Sequence, residues 1–139
     1  MNRYVLDTNT LTLYQRGNES VTRCAQAHSL VELATAIISV EEQLGGWYAE
    51  LRRFKKRDQL AAVYLRMTQA VRFLSRFEIL TFSESAMARY EGLRKEYRRI
   101  GKSDLRIAAI VLENDDIIVS ANVRDLGQIK GLRLEDWTK

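Results

Sequence analysis

Asp7, Glu42, Asp104 and Asp125 each fall just after an apolar run or near the opening of a helical pattern, with no histidine or cysteine close by in the chain. A set of this kind, all oxygen and all anionic, suits a hard divalent cation such as Mg²⁺ or Mn²⁺. Asn122, three residues before Asp125, adds a neutral amide that can both donate and accept. Each acid also fits a plainer role. Glu42 lies three residues after Ser39, the spacing of a capping box, and Asp104 follows Ser103 in a helix first turn, where the helix dipole favours negative charge. Asp125 can close a turn. Asp7 is harder to explain that way, because a carboxylate at the end of a buried strand needs a cation or hydrogen bonds to offset its desolvation. Spacing alone leaves both readings open at every position.

Composition removes several other chemistries. The chain has 139 residues, 46% hydrophobic and 29% charged, which fits one globular domain over residues 1–139 and excludes a disordered tail. A single histidine, His28, all but excludes His-based zinc sites and His-dependent triads. A single cysteine, Cys24, cannot form an internal disulfide. The longest apolar run, Ile107 to Leu112, is far short of the ~18 residues of a membrane span, and the first residues lack the apolar stretch of a signal peptide. A cytoplasmic location is the expectation. Gly101-Lys102-Ser103 mimics the end of a phosphate loop, but the required earlier glycine is replaced by Glu96 within a helical pattern.

The elements that must position the acids follow from periodicity. Tyr4 to Leu6 reads as a buried strand, Thr10 to Arg16 as a short helix ended by Gly17, and Asn18 as the cap of a helix to about His28. Leu33 to Ser39 is a second strand. Ser39 with Glu42 predicts a helix start running to about Lys56, and a further helix spans about Asp58 to Ser75. In the latter, Leu60, Val63, Tyr64, Met67, Val71 and Leu74 recur at spacings of three and four. Glu78 to Phe82 is a third strand, followed by a helix from Ser83 closed by Gly101. Ser103 caps a helix to about Glu113, and strands at Asp116 to Ala121 and Leu132 to Leu134 complete the pattern. The alternation predicts an α/β fold, a mostly parallel central sheet flanked by helices, with the working site at the carboxyl ends of its strands.

Charge is segregated along the chain. Residues 51–76 carry eight basic side chains against Asp58 alone, and residues 89–102 carry six against two acidic ones, whereas 1–50 and 113–139 are net acidic. Two basic segments flanked by acidic ends form a plausible footprint for a polyanion such as nucleic acid; a solvated helix face is the plainer alternative. Arg52, Arg53, Lys56, Arg94, Arg98 and Lys102 are the candidate phosphate contacts.

Four stretches carry a resemblance. Leu6-Asp7-Thr8-Asn9 resembles the opening motif of the PIN-domain ribonucleases, and Ser39 to Gly46 resembles their second. Gly101 to Ala109 is similar to the third, an Asp-Leu-x-Ile-Ala-Ala helix start. Ser120 to Leu126, with Gly131-Leu132 and Asp136-Trp137, is similar to the closing motif. The likeness runs end to end, and its compact form resembles the VapC-type toxins of toxin–antitoxin pairs. It implies metal binding by Asp7 and Asp104, with Glu42 third, since Gly46 fixes the register against Glu41. The fourth position is divided between Asn122 and Asp125. Thr8 and Asn9 are expected to support the Asp7 loop and Ser120 to orient it. Ser120 stands where the family often has Thr, and Leu126 where it often has Phe. The resemblance further implies a Mg²⁺-dependent endoribonuclease (Mn²⁺ substituting), a homodimer, and a cognate antitoxin whose tail blocks the acids. Two rival readings are a non-catalytic nucleic-acid-binding module using the basic helices and a phosphatase-like or receiver-like α/β domain.

Overall fold

Strand β1 (Tyr4–Leu6) is paired on both edges, and the rest of the fold is organised around it. The computed structural model describes residues 2–139. After β1 come α1 (Thr8–Gln15), α2 (Glu19–Gln26), a single 3₁₀ turn (Leu30–Glu32) and β2 (Leu33–Ala36). Next are α3 (Ile37–Arg53), α4 (Arg57–Leu74), β3 (Glu78–Leu80), α5 (Glu84–Glu96) and α6 (Lys102–Glu113). The chain ends with β4 (Ile117–Val119), the short α7 (Val123–Leu126) and β5 (Arg133–Glu135). The five strands lie in the order β3-β2-β1-β4-β5, and every pairing is parallel, so the predicted mostly parallel sheet is a wholly parallel one.

Alternation along the strands divides the core in two. Val5, Ala34 and Ile118 face one layer, packed with α5 and α6 residues such as Tyr90, Leu105, Ile107 and Ile110. Leu6, Leu33 and Val119 face the other, with Leu11 of α1, Val21 of α2 and Trp137. Helix α6 is buried at Leu105 and along Ile107 to Val111, which explains its continuous apolar run. At the amino end of the sheet, buried Asp116 accepts from the Arg3 backbone N–H at 2.9 Å and pairs with its guanidinium at 3.1 Å. Asp116→Ala strands those donors. It is expected to cost about 1–3 kcal/mol, read as a lower denaturation midpoint with an unchanged urea slope.

Several boundaries differ from the sequence expectation. Helix α1 starts at Thr8, not Thr10, because Asp7 itself takes the N-cap and accepts from the Thr10 N–H at 2.9 Å. Helix α3 starts at Ile37 with Ala36 at its cap position, so the predicted Ser39–Glu42 capping box does not form and both residues lie inside the helix. Helix α5 ends at Glu96, well before Gly101. Gly101 instead takes the N-cap position of α6, which leaves Ser103 within the first turn and its hydroxyl free for another partner. The predicted apolar stripe of α4 is only partly covered: Val63 and Leu74 are buried, whereas Tyr64 and Val71 are 56% and 54% exposed.

Candidate metal centre

All the acids singled out in the sequence gather at the carboxyl ends of the central strands. Asp7 follows β1 and is only 4% exposed; its backbone N–H donates to the Val119 carbonyl of β4 at 3.0 Å, which fixes it against the neighbouring strand. Asp104 lies in the first turn of α6 and is half-buried. Burial pushes the Asp104 carboxyl above its usual range, and repulsion from Asp7, Glu42 and Asp125 pushes it the same way, while a hydrogen bond from Asn122 opposes both. Asp104 therefore senses the charge of the other three carboxylates. Among the described residues, no lysine, arginine or histidine forms an ion pair with any of the four.

Neutral donors hold the acids instead. The Asn122 amide donates to Asp104 Oδ2 at 2.9 Å and reaches Asp125 Oδ2 at 3.4 Å, bridging α6 and α7. Ser120 accepts from the Asn122 backbone N–H at 3.0 Å, so it orients the Asn122 segment and not the Asp7 loop as expected. The Thr8 hydroxyl contacts Glu42 Oε1 at 2.5 Å and Ser39 Oγ at 3.0 Å, and Ser103 Oγ donates to Glu42 Oε2 at 3.0 Å. Ser103 was read from sequence only as a helix cap. The signal available there, a hydroxyl immediately before Asp104, does not reveal its partner on α3, 61 positions away in the chain. Asn9 is exposed on α1, and the backbone N–H that supports Asp7 belongs to Thr10.

The donor set fits a hard divalent cation. It offers only oxygens, carries uncompensated negative charge and includes a carboxyl whose ionisation is resisted by its neighbours. Among the described residues, no three acids converge into a finished chelate. Mg²⁺ does not require that, since it keeps several waters and is commonly held by one or two carboxylates.

The candidate phosphate contacts are more dispersed. Lys102 is exposed on α6, two positions from Asp104, and Arg94 and Arg98 line a shallow depression with Glu91 and Lys95 on α5. Arg52, Arg53 and Lys56 are exposed near the end of α3 and the turn into α4. At ~1.5 Å per residue, Arg52 lies roughly 15 Å along the helix from Glu42, outside the acidic cluster.

No family model matches the sequence. Ribonuclease VapC2 of Rickettsia felis is 37% identical over 71 residues, 48% of this chain and 53% of the relative, so that likeness spans about half of its length. Ribonuclease VapC2 of Haemophilus influenzae is 29% identical over an alignment of 143 residues that covers 99% of each protein. The crystal structure of VapBC2 from Rickettsia felis bound to a promoter DNA fragment superposes with a TM-score of 0.73 at 27% identity, over 96% of this chain and 98% of that one. A toxin–antitoxin complex from Klebsiella pneumoniae shares the fold, with a TM-score of 0.69 at 22% identity over 96% and 97% of the two chains. The wholly parallel five-stranded sheet flanked by helices is the fold of these PIN-domain neighbours. In sequence and in fold the chain is similar to the VapC ribonucleases.

Proposed function

We propose that residues 1–139 form one PIN domain that acts as a divalent-metal-dependent endoribonuclease, the toxin of a toxin–antitoxin pair working in the cytoplasm. The observation that carries this reading is the uncompensated acidic cluster, with Asp104 pushed up by burial and by three neighbouring carboxylates. The relatives named as VapC ribonucleases support it. Asp7 and Asp104 hold the ion, with Glu42 and Asp125 completing the site directly or through water. A bound Mg²⁺ or Mn²⁺ supplies the Lewis acidity that lowers the pKa of water and offsets charge on the phosphate. The chain's own part is positional. Asn122 keeps the Asp104 and Asp125 carboxylates apart and oriented, and Thr8 and Ser103 fix Glu42. No side-chain base is required, consistent with a single histidine stacked between Tyr4 and Trp137.

Arg52, Arg53, Lys56, Arg94, Arg98 and Lys102 hold the RNA backbone. The antitoxin tail blocks the acids, entering along a groove of about 800 Å³ between α1, α3 and α4 whose lining includes Gln43, next to Glu42, and the protein works as a homodimer. The solved VapBC2 complex of Rickettsia felis, which shares this fold, supports the antitoxin partner. Cleavage of RNA in Mg²⁺ and its loss in chelator test the reading. Cleavage that persists in chelator would remove the metal, and RNA binding without cleavage in Mg²⁺ would leave only a binding module.

Salt dependence tests the phosphate contacts separately. If four of the six basic residues engage a single strand, the logarithm of RNA affinity falls against the logarithm of salt with a slope of about −3. A flat response would identify these side chains as solvated faces.

A further inference from the structure

Glu42 is an exposed glutamate in the second turn of α3, and its torsions would ordinarily let the carboxylate wander. Here both carboxylate oxygens are engaged, and from different elements. Oε1 is met by Thr8 of α1 at 2.5 Å and Oε2 by Ser103 of α6 at 3.0 Å. Thr8 also lies 3.0 Å from the Ser39 hydroxyl, which is fully buried. A hydroxyl has one proton. With the Thr8 proton on the carboxylate, Ser39 serves as donor to Thr8, so these two hydroxyls form a chain that ends on Oε1, and Ser103 donates separately to Oε2.

Resting on the metal-nuclease reading above, we infer that Ser103 is a positioning residue that fixes the Glu42 carboxylate beside Asp104 and so pre-forms the ion site across α3 and α6. Three features carry this. Ser103 is adjacent in sequence to Asp104, so its hydroxyl ties the Glu42 carboxylate to the same helix turn that presents Asp104. Hydroxyl donors orient an anion without neutralising it, as a lysine would, so the charge stays available to a cation. Ser103 is also released for this task, because Gly101 and not Ser103 takes the cap position of α6. Thr8 alone would leave Oε2 free and the carboxylate able to swing about its single tether.

The test is Mn²⁺ binding in the absence of RNA, read from the loss of the free-ion electron paramagnetic resonance signal. Ser103→Ala is expected to raise the apparent Kd for Mn²⁺ about 10-fold, the low end of what losing a group that orients a metal ligand costs. Ser103→Thr, which keeps the hydroxyl, should bind within about twofold of the parent on the same reasoning. In cleavage assays, the metal requirement of Ser103→Ala should rise by a larger factor than turnover at saturating metal falls. Equal Mn²⁺ affinity of parent and Ser103→Ala would overturn the role of Ser103 and leave the nuclease reading standing. Weakened binding by Ser103→Ala that Ser103→Thr fails to restore would overturn it too, since the loss would then follow packing and not the hydroxyl. A parent that binds no Mn²⁺ would bring down the metal reading itself, and this inference with it.

Discussion

Asp104→Asn and Asp7→Asn are expected to lose RNA cleavage by a factor of about 10³ or more, the equivalent of several kcal/mol of transition-state stabilisation, while remaining folded. The amide keeps each side chain's shape but removes the anionic oxygen that an ion requires. At Asp7, asparagine also preserves the N-cap on Thr10, so α1 should keep its start. At Asp104, a stability change of definite sign accompanies the loss. The folded-state pKa lies above the ordinary 3.8, so the folded protein binds more protons than the unfolded chain as pH rises from about that value through the raised one. The Asp104 contribution to stability without metal therefore falls with rising pH across that window and levels off above it, and it is read as the difference between parent and variant. Asp104→Asn removes this slope and should unfold at the parent's temperature or higher at neutral pH. Denaturation in chelator from pH 4 to 7.5 checks the slope. Added Mg²⁺ should then stabilise the parent and not the variant. Near-parental cleavage by either variant would refute the assigned metal site.

The second large effect is expected at Asp125. Its removal takes an anion from the site and should raise the Mg²⁺ requirement by about 10–100-fold, with a matching loss of rate at limiting metal. Asn122→Ala should do less at saturating metal. The amide does not supply charge; it bridges Asp104 and Asp125, and without it the two carboxylates repel without an intermediary. Asn122→Asp sets a further negative charge between them, so it should tighten Mg²⁺ binding and lower stability in chelator. Titrations of cleavage rate against Mg²⁺ order the three variants. A larger shift for Asn122→Ala than for Asp125→Ala would transfer the principal role to Asn122.

The strands and the carboxyl-edge location of the acids were legible because they depend on short-range pattern. Tyr4-Val5-Leu6 before Asp7 and the apolar run of α6 after Asp104 are local signals, and the alternation of strand and helix leaves little freedom in how they stack. What escaped was decided between distant residues. Ser39 and Glu42 carry the spacing of a capping box, but β2 ends at Ala36 and the helix begins before them. The hydroxyl and the carboxylate are thereby turned towards Thr8 and Ser103. Ser120 shows the same limit: a hydroxyl at the end of a strand can serve either neighbouring loop, and here it serves Asn122. The α4 stripe was over-read because periodicity marks which face is apolar, not how much of that face another element covers.

The pairing of β1 with β4 has a consequence for the protein's synthesis. Asp7 emerges early, but the strand that flanks it, Ile117–Val119, and Asp125 beyond it are made about 110 to 118 residues later. At about 5–20 residues per second, that interval is ~6–24 s. During it, β1 has no neighbour on its β4 side, and the edge that carries Asp7 and Glu42 lacks Asn122 and Asp125. Any activity that needs Asp7 and Asp125 together must therefore wait for β4 to join β1. A ligand of the complete acidic edge has no finished surface until β4, fourth of the five strands in the chain, has paired with β1.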